Sequence, residues 1–273
     1  MRKKVLIKGA GDLATGIACR LYNCGFQIVM TEIAVPTTVR RTVAFSRAVY
    51  EGEAVVEGIR GILCKSPKEI NQAVDNKKIA VIVDEKWQTV QTWKPDVVVD
   101  AIIAKRNLGT SINDGPIVIG AGPGFEAGRD CHCVIETKRG HDLGRCLWQG
   151  SAVPNTGVPG IIGGYGKERL IKAPCEGIFQ GAKEIGDRVE AGDTVGYVIR
   201  ENGEKAPVTV AISGVLRGLL QDGVRVTKGM KSGDVDPRDV EKNCYTVSDK
   251  ARAIGGGVLE AILAMEYRRE EDK

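Results

Sequence analysis

The residues of this chain whose types and spacing suit chemistry fall in a few short runs, each behind an apolar stretch. Gly9-Ala10-Gly11-Asp12-Leu13-Ala14 follows Val5-Leu6-Ile7-Lys8 directly and satisfies the pattern G-x-G-x-x-G/A. In that pattern the first glycine permits a tight turn, the second lets backbone approach a pyrophosphate, and a small third residue lets the helix pack on the strand. The helix start adds unpaired N–H groups and a positive dipole end. Glu32 lies 21 residues beyond Gly11, at the end of the next apolar run, where a carboxylate can take a ribose hydroxyl. Asp12 works against an anion in the turn, and the competing account is a glycine turn with a purely structural role. Arg40 and Arg41 come next, on the side where a ribose or an extra phosphate would lie; as a solvated helix face they would have no such part.

A second glycine turn, Gly120-Ala-Gly122-Pro-Gly124-Phe-Glu-Ala-Gly128, also follows an apolar run, but Phe125 stands where the third glycine of the fingerprint belongs. Between the two turns, a strand read over 97–103 brings Asp100, Lys105, Arg106 and Asn107 to the same edge. Lys105 or Arg106 could hold an anion, Asn107 could hydrogen-bond a base or carboxamide, and Asp100 could act as a base or a phosphate-metal ligand. A capped strand end with solvated cations is the plainer reading. Cys131-His132-Cys133 invites a metal, yet on a strand the histidine faces away from the two cysteines and no further ligand pair stands at a familiar spacing; no metal site is expected. Of the two histidines, His141, in a polar stretch, is the better candidate for function.

These groups need a scaffold, and the chain alternates strand-like and helix-like segments to provide one. Strands are read at 5–8, 26–31, 79–83, 97–103 and 116–119, with helices over 12–24, 38–50 and from Ser66-Pro67-Lys68-Glu69, where serine can cap and glutamate can close a capping box. Several strands are apolar on both alternations, as in a parallel sheet covered on both faces. The expectation is an α/β fold, a Rossmann-like, doubly wound, mostly parallel sheet in residues 1–165. A duplicated all-β domain of barrel-sandwich-hybrid type follows in 166–240, and a C-terminal helix in 241–273 packs back on the first domain. The duplication is explicit: glycines at 177, 181, 186, 192 and 196 recur at 214, 218, 223, 229 and 233, and Arg188-Val189 recurs as Arg225-Val226. Such domains carry lipoyl or biotinyl groups on a hairpin lysine. Lys205 is near the tip, but Gly203-Glu204-Lys205-Ala206-Pro207 lacks a carrier setting, so neither lipoyl nor biotin is expected. Gly255-Gly256-Gly257 inside the last helix implies close backbone approach.

Composition narrows the classes. The 273 residues carry a net charge of +4 without a basic block and are 5% aromatic, which argues against nucleic acid. No apolar run reaches the roughly 20 residues of a membrane span and no secretory leader is evident, so the expectation is a cytoplasmic protein away from membranes. The eight cysteines lack paired spacings and read as reduced thiols. A homo-oligomer is compatible with all of this.

Lys8-Gly-Ala-Gly-Asp-Leu-Ala-Thr-Gly16, Arg40-Arg41, Ala104-Lys-Arg-Asn107, Gly120-Ala-Gly-Pro-Gly-Phe125, Glu136-Thr-Lys-Arg-Gly-His-Asp-Leu-Gly-Arg145, Asn155-Thr-Gly-Val-Pro-Gly160 and Lys231-Ser-Gly-Asp-Val-Asp-Pro-Arg238 together resemble the YqeB-type family of selenium-dependent molybdenum hydroxylase system proteins, over nearly the whole chain. The first domain is also reminiscent of XdhC-like Rossmann domains. The resemblance implies an accessory role: inserting, modifying or guarding molybdopterin dinucleotide, or delivering selenium, for a molybdenum hydroxylase client. It transfers no catalytic residues. A NAD(P)-dependent oxidoreductase and a nucleotide-sensing scaffold without chemistry remain alternatives, and whether there is turnover is open.

Overall fold

The computed structural model describes residues 2–155, 157 and 160–271. They form two compact units, one of Met1–Pro36, Ala44–Thr156 and Val247–Lys273, the other of Thr37–Val43 and Gly157–Thr246.

The first unit is built on a nine-stranded sheet. Its strands are β1 (Lys4–Lys8), β2 (Gln27–Glu32), β3 (Glu53–Val56), β4 (Ile59–Cys64), β5 (Ile79–Val83), β6 (Val97–Asp100), β7 (Ile117–Ala121), β8 (Cys133–Ile135) and β9 (Cys146–Leu147). They lie in the order β3-β4-β5-β2-β1-β6-β7-β8-β9, parallel except for the edge strands β3 and β9. The helices are α1 (Asp12–Asn23), α2 (Ala48–Glu51), α3 (Pro67–Asp75), α4 (Gln88–Trp93) and α5 (Asp249–Glu271). Leu6, Val29, Ala80, Val98 and Val118 pack against Ile70, Ala73 and Val74 of α3 and Val90 and Trp93 of α4. The crossovers β1–α1–β2 and β4–α3–β5 run in opposite directions along the sheet, so right-handed connections put α1 and α3 on opposite faces. This is a doubly wound arrangement. The chain leaves β1 toward β2 and later returns to its other side with β6, which makes the carboxyl ends of β1 and β6 a topological switch point.

Ser66 caps α3 as read: its Oγ accepts from Glu69 N–H, while Glu69 accepts from Lys65 N–H. α5 lies against α1 through small residues. A Cβ on Gly16 would come within 2.5 Å of the Ala251 Cβ, and one on Gly257 within 2.1 Å of the Gly144 carbonyl. Two elements depart from the sequence reading. The helix over 38–50 is absent; the chain makes short 3-10 turns at Arg41–Val43 and Phe45–Arg47 before α2. Its first part, rich in β-branched residues, joins the second unit instead, where the Val39 carbonyl accepts from Leu219 N–H. The strand over 97–103 stops at Asp100, because Ile103 and Lys105 take positive φ of 60° and 65°.

The second unit consists of two four-stranded antiparallel sheets. Its strands are β10 (Leu170–Lys172), β11 (Gly177–Gly181), β12 (Arg188–Val189), β13 (Thr194–Ile199), β14 (Lys205–Thr209), β15 (Gly214–Leu219), β16 (Arg225–Val226) and β17 (Lys231–Asp236). The sheet orders are β10-β17-β15-β12 and β14-β13-β11-β16. A shift of 37 residues carries β11, β12 and β13 onto β15, β16 and β17, so each sheet combines strands of both copies. The recurring glycines do recurring work: Gly177 and Gly214 have φ of 153° and 150°. The core is apolar, with Phe179, Val198, Leu216, Val226 and Val235 fully enclosed. Residues 241–246 belong to this unit, so the segment read as 241–273 divides just ahead of α5. In the Asn155–Gly160 run, Thr156, Val158 and Pro159 lie outside the described residues.

Candidate functional site

The switch point is shaped by three turns of the first unit. Gly9, with φ of 91°, presses on the segment after β6: a Cβ there would stand 3.1 Å from Ile102 Cα. On the other side of that segment a Cβ on Gly124 would meet Arg106 N and Cα at 2.6 Å. Residues 101–106 are thus held between the two glycine turns. Their backbone is strained: Ile103 is β-branched with φ of 60°, and Lys105, exposed, has φ of 65°. Gly122 adds a third close approach, 2.7 Å from Thr137 Oγ1 for an added Cβ. The second glycine turn therefore serves close packing, on backbone at Gly124 and on the Thr137 side chain at Gly122.

The first turn keeps the features of an anion site. α1 begins on Gly11, which offers no capping side chain, so the first-turn N–H groups of the helix have no intrahelical acceptor. Gly11 itself has an ordinary φ of −71°. Leu13 is half-buried and Ala14 packs in the core. Glu32 reaches back to this turn, accepting from Ala10 N–H at 3.0 Å and Ile33 N–H at 2.8 Å. Burial pushes its carboxyl above the usual range, with those two N–H groups pulling the other way. A ribose hydroxyl would have to share a carboxylate already engaged by backbone.

Beneath the strained segment is a polar network that sequence reading largely missed. Thr31, Lys8, Asp100 and Gly120 stand side by side in register at the carboxyl ends of β2, β1, β6 and β7. Lys8 is 1% exposed, and its Nζ donates to Thr110 Oγ1 at 2.8 Å and Asp114 Oδ2 at 2.7 Å. It also lies 4.4 Å from the centre of the Trp87 ring. Thr110 Oγ1 donates in turn to Asp100 Oδ2 at 2.7 Å, and Ile102 N–H donates to Asp100 Oδ1. Burial raises the Asp100 pKa, opposed by those hydrogen bonds and by Lys8. Asp100 is thus joined through Thr110 and Lys8 to half-buried Asp114. Thr31 Oγ1 is buried and makes no hydrogen bond among the described residues. The signal for this network was a lysine ending an otherwise apolar strand directly before the glycine turn.

The other candidates divide. Asn107 closes its own loop, accepting from Gly109 and Thr110 N–H and donating to the Thr110 carbonyl. Arg106 is exposed, and so is His141. Arg40 and Arg41 belong to the second unit: Arg40 donates to the Asn243 and Thr246 carbonyls, Arg41 to the Leu219 carbonyl and Gln221. Those bonds anchor the 37–43 segment within that unit. Cys131 and Cys133 are buried, and burial pushes the Cys131 thiol up to about 11. His132 uses Nδ1 to accept from Val118 N–H. Among the described residues no cluster of three His, Cys, Asp or Glu could hold a metal ion, and no helix is long and apolar enough to cross a membrane.

No protein-family model matches the chain. A protein of Escherichia coli K12 described as uncharacterized protein YqeB is 48% identical over 264 residues, which are 97% of this chain and 48% of that one. The chain thus spans about half the length of this curated relative. Among solved structures, a succinylglutamate desuccinylase/aspartoacylase from Rhodobacter sphaeroides matches at 22% identity over 25% of this chain and 21% of its own, with a TM-score of 0.23. An aspartoacylase family protein from Mesorhizobium loti matches at 10% identity over 86% and 84% of the two chains, with a TM-score of 0.28. At such scores neither likeness bears on fold or function.

Proposed function

We propose, from its 48% identity to the Escherichia coli protein YqeB, that the chain is a cytoplasmic accessory protein of selenium-dependent molybdenum hydroxylases, holding a molybdopterin dinucleotide at the switch point of its first unit. The observation that carries this reading is the uncapped start of α1 on Gly11, directly behind the Gly9 turn and beside the strained 101–106 segment. The residues suit the group: first-turn N–H groups for a pyrophosphate, Glu32 for a ribose hydroxyl, Lys105 for a further anionic group. When bound, the dinucleotide supplies the metal-binding dithiolene chemistry; the chain supplies its seat and shields it. The client is a hydroxylase subunit, with the duplicated β-unit as its docking module. Turnover by the isolated protein is then weak or absent.

The test is the melting temperature against NAD, NADP, FAD, CTP, CDP and GDP, since a ligand bound only by the folded state raises it by mass action. Selective stabilisation by cytidine nucleotides, lost in Gly11→Asp, supports the reading; no shift with any of them overturns it. A NAD(P)-dependent oxidoreductase is the second reading, favoured by Asp100, whose raised pKa and hydrogen-bond chain suit a proton donor. Stabilisation by NADP or NAD alone, with hydride transfer abolished in Asp100→Asn, would select it.

A further inference from the structure

His132, the middle residue of the Cys131-His132-Cys133 run, stands at the seam between β7 and β8. β8 begins one residue later, at Cys133, which lies opposite Ile119 of β7. His132 closes the amino end of this pairing with both of its groups. Its N–H donates to the Val118 carbonyl at 2.8 Å, and Val118 N–H donates to Nδ1 of its ring at 3.0 Å. The ring nitrogen stands in for the carbonyl that an earlier start of β8 would supply. Only an unprotonated Nδ1 accepts, so the ring is the neutral tautomer with its proton on Nε2. Val118 is fully buried, and its N–H has no water to turn to when that acceptor is lost. An imidazolium turned to the Val118 carbonyl, which already accepts from His132 N–H, still leaves Val118 N–H without an acceptor.

The half-buried ring also adjoins the end of α5. Arg269, in the last turn of that helix, donates to the Pro116 carbonyl, two residues ahead of Val118. Its guanidinium is the charge that faces the ring. β7 carries no charged residue, and on the bend before His132 the charged groups of Glu126, Arg129 and Asp130 pair among themselves. Nearby on α5, Glu266 pairs with Lys3 and Arg268 lies on the Trp148 ring. Burial, and then Arg269, hold the His132 pKa below the ordinary histidine value, with the Val118 backbone pulling the other way.

We propose that His132 is a pH-sensitive clasp on the seam of β7, β8 and the last turn of α5. Neutral, it completes the hydrogen bonding of Val118 and leaves Arg269 seated on Pro116. Protonated, it sets N–H against N–H and a second cation beside Arg269, so the amino end of the seam opens and the helix end leaves its seat. The folded ring takes a proton less readily than the unfolded one, so the closed form is favoured above the ordinary histidine pKa of 6.5 and is lost as pH falls below it. The clasp is independent of what the switch point holds.

Hydrogen exchange followed by NMR from pH 8 to pH 4.5, with protection referred to the intrinsic rate at each pH, tests this on wild type, His132→Asn and His132→Phe. Asparagine offers Oδ1 near the place of Nδ1 and does not titrate; phenylalanine offers no acceptor. Wild type should match His132→Asn at pH 8 and fall about tenfold at acid pH, toward His132→Phe, both at Val118 and in the last turn of α5, as expected for one lost hydrogen bond. His132→Asn should keep its protection throughout, although it retains the titrating carboxyls of Glu32 and Asp100. Imidazole nitrogen shifts of wild type give the tautomer and the titration midpoint, which Arg269→Gln should raise. A ring with its proton on Nδ1 at pH 8, wild-type protection that does not change with pH, or an equal fall in His132→Asn each overturns the clasp.

Discussion

Lys8 Nζ lies 2.7 Å from Asp114 Oδ2 across a sequence separation of 106 residues, and the lysine side chain is 1% exposed. The pair ties the end of β1 to the loop after Asp100. Removing one partner of a buried pair leaves the other charge uncompensated, so Lys8→Met should destabilise the first unit by about 3 kcal/mol, the lower end for such pairs because Asp114 keeps some access to water. Urea unfolding followed by tryptophan fluorescence measures this, since Trp87 stacks on the same lysine. Asp114→Asn, which leaves the more deeply buried lysine charge uncompensated, should cost at least as much, and an unaltered Lys8→Met midpoint would count against the network.

Gly124→Ala should loosen the switch point. The new methyl would sit 2.6 Å from Arg106 backbone, at φ of 110°, so either the strained segment or the glycine turn must move. A loss of about 1–3 kcal/mol is expected, in the range of a strained backbone residue. Limited trypsin digestion reports the local effect: cleavage after Lys105 and Arg106 should accelerate relative to wild type, whereas Gly128→Ala, with open space around its Cβ, should leave those sites unchanged.

The buried carboxyls set a pH dependence with a definite sign. Glu32 and Asp100 have folded-state pKa values above their unfolded ones, so folding takes up protons in the window between the two values. Their contribution to stability is present below the unfolded pKa and is lost as pH rises through the folded one. Glu32→Gln and Asp100→Asn do not titrate, and each should gain stability relative to wild type as pH is raised through the carboxyl range. Denaturant midpoints from pH 4 to pH 7 test this; a constant difference between variant and wild type would show that the group is not perturbed.

Thiol reactivity should follow exposure. Cys24 is exposed, whereas burial pushes Cys19 up to about 12 and Cys64, Cys131 and Cys244 to about 11. Cys133, hydrogen-bonded to Cys146, is raised further. Only a thiolate attacks iodoacetamide efficiently, so native protein should label first at Cys24, and the buried five only after unfolding. Peptide mass mapping reads the order; early labelling of Cys131 or Cys133 would contradict their burial.

Much of the scaffold was legible because it depends on local pattern. Apolar runs marked β1, β5 and β7, the first and last of them followed by glycine turns, and Ser66-Pro67 marked the start of α3. The duplication showed through glycines that bend backbone identically in both copies. What was not legible depends on partners distant in the chain. The 38–50 segment reads as helix until Leu219 supplies an acceptor-seeking N–H for Val39, and β3 and β4 form a hairpin on Glu57-Gly58 that the reading passed over. In the site, Gly9 and Glu32 were visible from spacing, but Lys8, Thr110 and Asp114 meet only after a loop folds over Asp100.

The strand exchange within the second unit bears on its ancestry. One copy of the repeat cannot complete either sheet, because each sheet draws its outer strands from the other copy. Two separate copies of that segment would supply every strand needed, so the unit has the form of a symmetric homodimer whose subunits became fused into one polypeptide. Its two halves must consequently fold in a single cooperative step, and severing the chain between Arg200 and Glu204, in the exposed turn that joins them, should leave fragments that are unstructured apart and fold when mixed.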